Sequence, residues 1–442
     1  MSPARPVLAA VTALAFAAGF TRSLHRPSPP SFRVATSAPQ AEGRRPSAPG
    51  ERRPARPRSR FASKTHDVTA HAASLVELGD GRLRAFWFSG ADEGTSDVRI
   101  LTAVFDPLRD AWTEARTVVE AGGLGRGLFR HVGKLGNPAA IRTSDGTLWL
   151  FVVTVPFGGW ANSAVTGLRS ADDGETWGMP RRLVATPLFN RSTMVRGAPF
   201  EYGDGTLGLP AYQSLLRGFA EVLRVDASGA VVDKQRLSTP GQGSQPSVMV
   251  TGESDAVALL RPSGQPPPRR AMLSRTRDAG EQWTPPAPVA LRSPDAALEG
   301  LALPGGRLLA VLNDTDLERD ALSLVVSDDD GWSWRTVERL EDQGADRALS
   351  PDDGRYARTV EALARATDAT VADASPYVRS SRRFMCWDER CHFEFSYPSL
   401  VRARGGEIHL LYTWNRAYIK HVRFDPAWLD ERLADPSNAP LR

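Results

Sequence analysis

Ser170-Ala-Asp-Asp-Gly-Glu-Thr-Trp177, Thr276-Arg-Asp-Ala-Gly-Glu-Gln-Trp283 and Ser327-Asp-Asp-Asp-Gly-Trp-Ser-Trp334 share one pattern, Ser/Thr-x-Asp-x-Gly-x-x-Trp. Three copies are far beyond accident, and an internal repeat decides the fold before any single strand is read. The residue types suit a tight turn between antiparallel strands. The Asp carboxylate accepts turn backbone N–H groups, Gly supplies positive φ, and Trp packs on the sheet edge. The boxes are folding devices, with no catalytic role.

Trp177 and Trp283 lie 106 residues apart, two units of 53, and Trp283 and Trp334 lie 51 apart. The unit between the first two boxes keeps a remnant, Val225-Asp-Ala-Ser-Gly229, and looser echoes occur at Phe105-Asp106 to Trp112 and at Phe424-Asp425 to Trp428. With a long insertion set aside, these give six units of about fifty residues, the size of a four-stranded propeller blade. Strands are visible within units, as in Ala73–Leu78 and Arg82–Phe88 about Asp80-Gly81, and in Thr147–Val153 after Asp145-Gly146. The expected fold is all-β, a six-bladed β-propeller over residues 66–442. A partly helical excursion at about 341–392 precedes the last blade. There Ser350 reads as an N-cap, Pro351 as the first helical residue, and Val360, Leu363 and Ala364 as one apolar face of a helix 351–367.

The 442-residue chain has a net charge of +4. The charge is uneven: residues 1–60 hold 11 basic and 2 acidic side chains, so residues 61–442 carry 44 against 49, a net charge of −5. A mildly acidic folded part removes the main support for nucleic-acid binding. Residues 22–65 read as a disordered Pro/Arg-rich linker. Before them, the apolar run Val7–Phe20 has signal-peptide length, so residues 1–21 read as a signal peptide or a signal anchor. The expectation is a periplasmic or extracellular monomer, with a membrane tether left open. Cys386 and Cys391 could close a small loop in an oxidising compartment, and their spacing with His392 makes no metal site. No metal or cofactor is expected.

The boxes, together with Gly136-Asn-Pro138, Ser396-Tyr-Pro-Ser399 and Tyr412-Thr-Trp-Asn-Arg416, resemble the sialidase superfamily in its bacterial BNR-repeat branch, over nearly all of residues 66–430. The resemblance implies a six-bladed propeller with its site on the axis, at the face opposite the boxes. It also implies an Arg triad clamping a sugar carboxylate, a Tyr nucleophile activated by Glu, and an acidic acid/base. Carried over residue by residue, it assigns Tyr397 as nucleophile and Arg261 and Arg319 as clamp residues. Two positions depart from the pattern. Gln245, sixteen residues before Arg261, stands where the activating Glu belongs, and an amide cannot take a phenolic proton. His71 stands where the first clamp Arg belongs. Glu93, in preference to Asp92, occupies the acid/base loop. Asn137 and Arg416 are further substrate-binding candidates, and His131, Arg196, Lys420 and His421 are rim groups. The readings are an exo-glycosidase removing a terminal acidic sugar from glycans, a uronate-polymer lyase using Tyr397 and His71, or a glycan-binding propeller without catalysis.

Overall fold

The computed structural model describes residues 4–24, 28–34, 56–186, 190–215, 217–346, 348–352 and 354–435. Six antiparallel sheets follow one another along the chain. They form the expected six-bladed propeller. Blades one to five comprise residues 69–120, 134–182, 193–236, 244–292 and 299–342, and blade six is built from 395–424. Within a blade the chain runs from the innermost strand outward, so first strands of neighbouring blades meet around the axis.

The middle strands are continuous apolar runs, such as Leu148–Val155, in which every residue is buried. That pattern belongs to a strand covered on both faces, here by the two flanking blades. The buried apolar residues accordingly form six clusters, one for each seam between blades.

All three boxes close the hairpin between the third and fourth strands of their blades, two, four and five. Each uses the same bonds. Asp172, Asp278 and Asp329 accept the backbone N–H of Thr176, Gln282 and Ser333, while Ser170, Thr276 and Ser327 accept that of Gly174, Gly280 and Gly331. Those glycines have φ of 92°, 90° and 84°, which only Gly adopts freely. The remnant in blade three does the same work, with Asp226 accepting from Ser228 and Ala230. In blade six, Asp425 at the matching point caps a helix, Pro426–Ala434.

That helix leaves blade six without a fourth strand from its own run of sequence. Arg58–Phe61 supplies it, pairing antiparallel from Arg58↔Arg423 to Phe61↔Lys420. This corrects the reading of residues 22–65 as linker: the tract carries the strand that closes the ring, with Phe61 fully buried. Ahead of it, Phe32 bridges Tyr202, stacks on that ring at 5.3 Å and sits in the seam of blades three and four. The tract is anchored in both places because one aromatic in a polar run fills a seam the blades leave open. Residues 35–55 lie outside the described residues. Ala4–Leu24 is helical, and no helix among the described residues is long and apolar enough to cross a membrane.

The excursion before blade six contains two helices, Arg355–Thr367 and Ser375–Met385, then a ribbon pairing Cys386 with Cys391, which are disulfide-bonded. The first helix starts four residues later than expected, after Gly354 at φ 71°, and Ser350 accepts from Asp352 in the preceding turn. Val360 and Ala364 are buried as read. Tyr377 packs on Phe61 at 4.8 Å and on Tyr418 at 4.6 Å, so the excursion braces the closing strand.

Phe61→Ala should therefore cost about 3 to 5 kcal/mol, read as a lowered denaturation midpoint, and a truncation after residue 61 should lose more stability than one after residue 55. Asp329→Ala should cost about 1 to 3 kcal/mol through its freed turn amides, with ligand affinity at the opposite end unchanged.

Candidate active site

The innermost strands slip register near the end remote from the boxes, and they do so at matching places. The slips fall between His71 and Ser74, Gly136 and Pro138, Ser244 and Ser247, and Ser396 and Ser399. At three of them a non-glycine residue is left-handed: Ala72 at φ 54°, Gln245 at 45° and Tyr397 at 54°. A bulge re-aims a side chain that regular pleating would send into a seam, at a backbone cost of about 1 kcal/mol or more per residue. The serines that follow repay part of this. Ser74, Ser247 and Ser399 accept the backbone N–H of Ala140, Gly300 and Leu75, each on the next blade.

Beside these bulges opens a cavity of about 400 Å³. Glu93, Asn137, Gln245, Arg261 and Tyr397 line it, so five of the eight candidate residues meet there. Its wall also holds Trp160, Met194 and Tyr212 beside Gln213, Ser214 and Ser263, a mixture of ring faces and hydrogen-bonding groups that suits a sugar. Arg261 is the hub. Its Nε donates to Asp295 at 2.6 Å, while Nη1 reaches Gln245 Oε1 at 3.1 Å and lies 3.5 Å from the Tyr397 hydroxyl. Gln245 donates in turn to the Tyr212 hydroxyl at 3.1 Å, which also lies 3.4 Å from the Asn137 amide nitrogen.

The other three candidates stand behind this wall. Arg319 bonds Glu394 at 3.1 Å and lies over the Tyr397 ring at 5.8 Å. Arg416 pairs with Glu93 at 3.1 Å. His71 is 2% exposed, its ring 4.3 Å from that of Tyr397, and burial first, then Arg416, Arg319 and Arg196, push its pKa down to about 3 against the pull of Glu394. It is therefore neutral at ordinary pH and cannot serve as a cationic clamp. Its Nδ1 has no hydrogen-bond partner among the described residues.

Glu93 behaves differently from its neighbour. Both residues lie in an exposed loop, but the Asp92 carboxylate accepts its own turn's Glu93 amide, whereas partial burial of the Glu93 carboxyl raises it above its usual range despite Arg416. A rise is the direction that suits a carboxyl to proton donation.

Three contributors escaped the sequence reading or were rated too low by it. Arg196, placed there only on the rim, is 3% exposed, pairs with Glu299, donates to the Pro398 carbonyl and lies over Tyr397 at 5.4 Å. Glu394 is buried; burial works against its charge, yet Arg319, Arg416 and the Ser396 hydroxyl hold its pKa down to about 2. A lone acid between Phe393 and Phe395 was the available signal. Arg217, an exposed loop residue on the cavity wall, gave none. Lys420 and His421 lie away from the cavity, Lys420 on Glu341 and His421 between Trp112 and His409. His131 lines a different cavity.

The BNR repeat-like domain family matches residues 81–410. The chain belongs to that family, within the sialidase-like BNR superfamily. No curated protein matches the sequence. Among solved structures, the Hadza microbial sialidase Hz136 aligns with a TM-score of 0.57 at 16% identity, covering 81% of this chain and 66% of that one. A Dyadobacter fermentans protein of unknown function aligns at 0.57 and 14%, covering 83% and 98%. The intramolecular trans-sialidase of Ruminococcus gnavus aligns at 0.56 and 11%, covering 84% and 96%. At these identities the likeness establishes the propeller. The BNR chain spans about two thirds of the Hadza enzyme.

Because the fold holds His71 neutral, unfolding takes up a proton below pH 6.5, its ordinary value. The stabilising contribution is full above that pH and is lost as pH falls towards about 3. His71→Phe should flatten the acid limb of the stability curve relative to wild type by up to about 1.4 kcal/mol per pH unit, measured by chemical denaturation at stepped pH.

Proposed function

We propose that this BNR propeller is an exported exo-glycosidase of sialidase type, removing a terminal acidic sugar from glycans. One observation carries the reading: Tyr397, Glu93 and Arg261 wall a single axial cavity, with the guanidinium beside the phenol oxygen. Export rests on the apolar run Val7–Phe20 and on the Cys386–Cys391 bond, which suits an oxidising compartment.

In this reading Arg261, with Arg217 at the rim, receives the sugar carboxylate. Tyr397 attacks the anomeric carbon, and protonated Glu93 donates to the leaving oxygen. Arg261, Arg196 and Arg319 surround the attacking ring with fixed positive charge, which favours negative charge developing on its oxygen. Gln245 cannot take the phenolic proton. Neutral His71, packed on that ring, is the base-capable group beside it.

The same pairing of Tyr397 with an uncharged imidazole favours one second reading, β-elimination on a uronate polymer. There the two groups manage the transferred protons and no activating Glu is needed.

Products separate the readings: free acidic sugar for hydrolysis, an unsaturated uronate absorbing in the ultraviolet for elimination. Tyr397→Phe should abolish turnover. Glu93→Gln should lower turnover of a natural glycoside by roughly a hundredfold or more, and lower that of an aryl sialoside, whose leaving group needs less acid help, much less. Gln245→Glu should raise aryl sialoside hydrolysis by supplying a base near the phenol. If instead the cavity is built for elimination, the new charge beside Arg261 should lower activity on uronate polymers. Undiminished turnover by Tyr397→Phe would sink both readings.

A further inference from the structure

A second cavity, of about 360 Å³, opens on the flank of blade two at the same end of the propeller. Arg130, His131, Arg182 and Arg191 line it with Thr154 and Asn162, and none of its described lining residues is acidic. One turn divides it from the axial cavity. In the short helix Trp160–Asn162, Trp160 lines the axial cavity and Asn162 this one, just as Val153 and Thr154 do from adjacent positions of one strand.

Its charge is concentrated by the sequence itself. Segments 121–144, 146–171 and 176–200, which supply the whole wall, contain no Asp or Glu, although residues 61–442 are net acidic. Arg182 is half-buried and donates to the Asn190 carbonyl at 2.9 Å. Burial, then repulsion from Arg130 and Arg191, destabilises its charged form, and an anion bound among the three would offset that repulsion. Guanidinium groups on a concave wall present paired N–H donors that match the oxygen pairs of carboxylates and sulfates.

We infer that this cavity is a second anion subsite, taking a carboxylate or sulfate of an acidic oligosaccharide that crosses the Trp160 turn and places its terminal sugar in the axial cavity. The inference shares with the proposed function only the class of ligand. Anion binding on blade two holds whether or not the axial cavity cleaves.

The test uses the full chain with Tyr397→Phe as a background, so that nothing is turned over, and measures binding of sialic acid, a sialic acid tetramer and a sulfated glycosaminoglycan octasaccharide by calorimetry at several salt concentrations. An oligosaccharide should bind more tightly than the single sugar. Arg130→Gln with Arg182→Gln should weaken that oligosaccharide roughly tenfold or more and flatten its salt dependence, leaving the single sugar unchanged. Which oligosaccharide responds identifies the anion. Arg130→Glu, a reversal at an exposed site that the core does not feel, guards against misfolding and should weaken the same ligand. The subsite is overturned if neither oligosaccharide is preferred to sialic acid, if both variants bind as the background does, or if the single sugar weakens equally. Failure of the glycosidase reading shows separately, as absence of turnover by the wild-type chain.

Discussion

The bulge in the innermost strand is the feature on which both the ring and its cavity depend. A regular strand next to the axis would alternate its side chains into the two flanking seams and offer the centre little more than backbone. Inserting an extra residue near the cavity end breaks that alternation. Gln245 and Tyr397 are turned left-handed at such places, at a backbone cost their surroundings must offset. The offset is built into the same motif, because the serine two residues on accepts an amide from the next blade. Re-aiming a site residue and bolting two blades together are thus one local event, repeated around the ring.

The charges behind the cavity follow from this placement. Tyr397 stands where the guanidinium groups of Arg196, Arg261 and Arg319 can all approach it, and each of those is held by its own carboxylate, Glu299, Asp295 and Glu394 respectively. Buried ions without such partners would cost far more than the cavity could sustain. The pairing leaves an electrostatically closed shell in which a further carboxylate at position 245 is not needed for structure. Gln245 instead uses both ends of its amide, accepting from Arg261 and donating to Tyr212, which a carboxylate could not do. The amide therefore fits its setting as a structural relay between Arg261 and Tyr212.

What the sequence showed and what it hid divide along physical range. The boxes were legible because the bonds that shape their turns, from the Asp and the Ser or Thr to backbone amides, span four residues, so the turn is specified within its own eight letters. The apolar runs of the middle strands were legible because both faces are covered. Arg58–Phe61 was not, since four residues in an Arg-rich tract carry no period, and the strand exists only through a partner 359 to 365 residues away in the closed ring. The same limit applied to the site. Tyr397, Arg261, Glu93, Asn137 and Gln245 could be named through a family resemblance, but the burial that neutralises His71 and the packing of Arg196 over Tyr397 depend on contacts between blades.

The two ends of the propeller carry different constraints. At the box end each hairpin is short and saturated with hydrogen bonds, and its glycine sits at a positive φ that tolerates little else. At the cavity end lie the connections from one blade to the next, which must only span the seam and are free in length and composition. The excursion before blade six is one of these connections, and it uses its freedom to brace the closing strand. The connections on either side of blade two use theirs to gather arginines around a hollow. A site on the axis is set by the bulged inner strands common to several blades, whereas what surrounds it is set by connections peculiar to each. The axial cavity and the hollow beside it are therefore separable features of this fold, held by different parts of the chain.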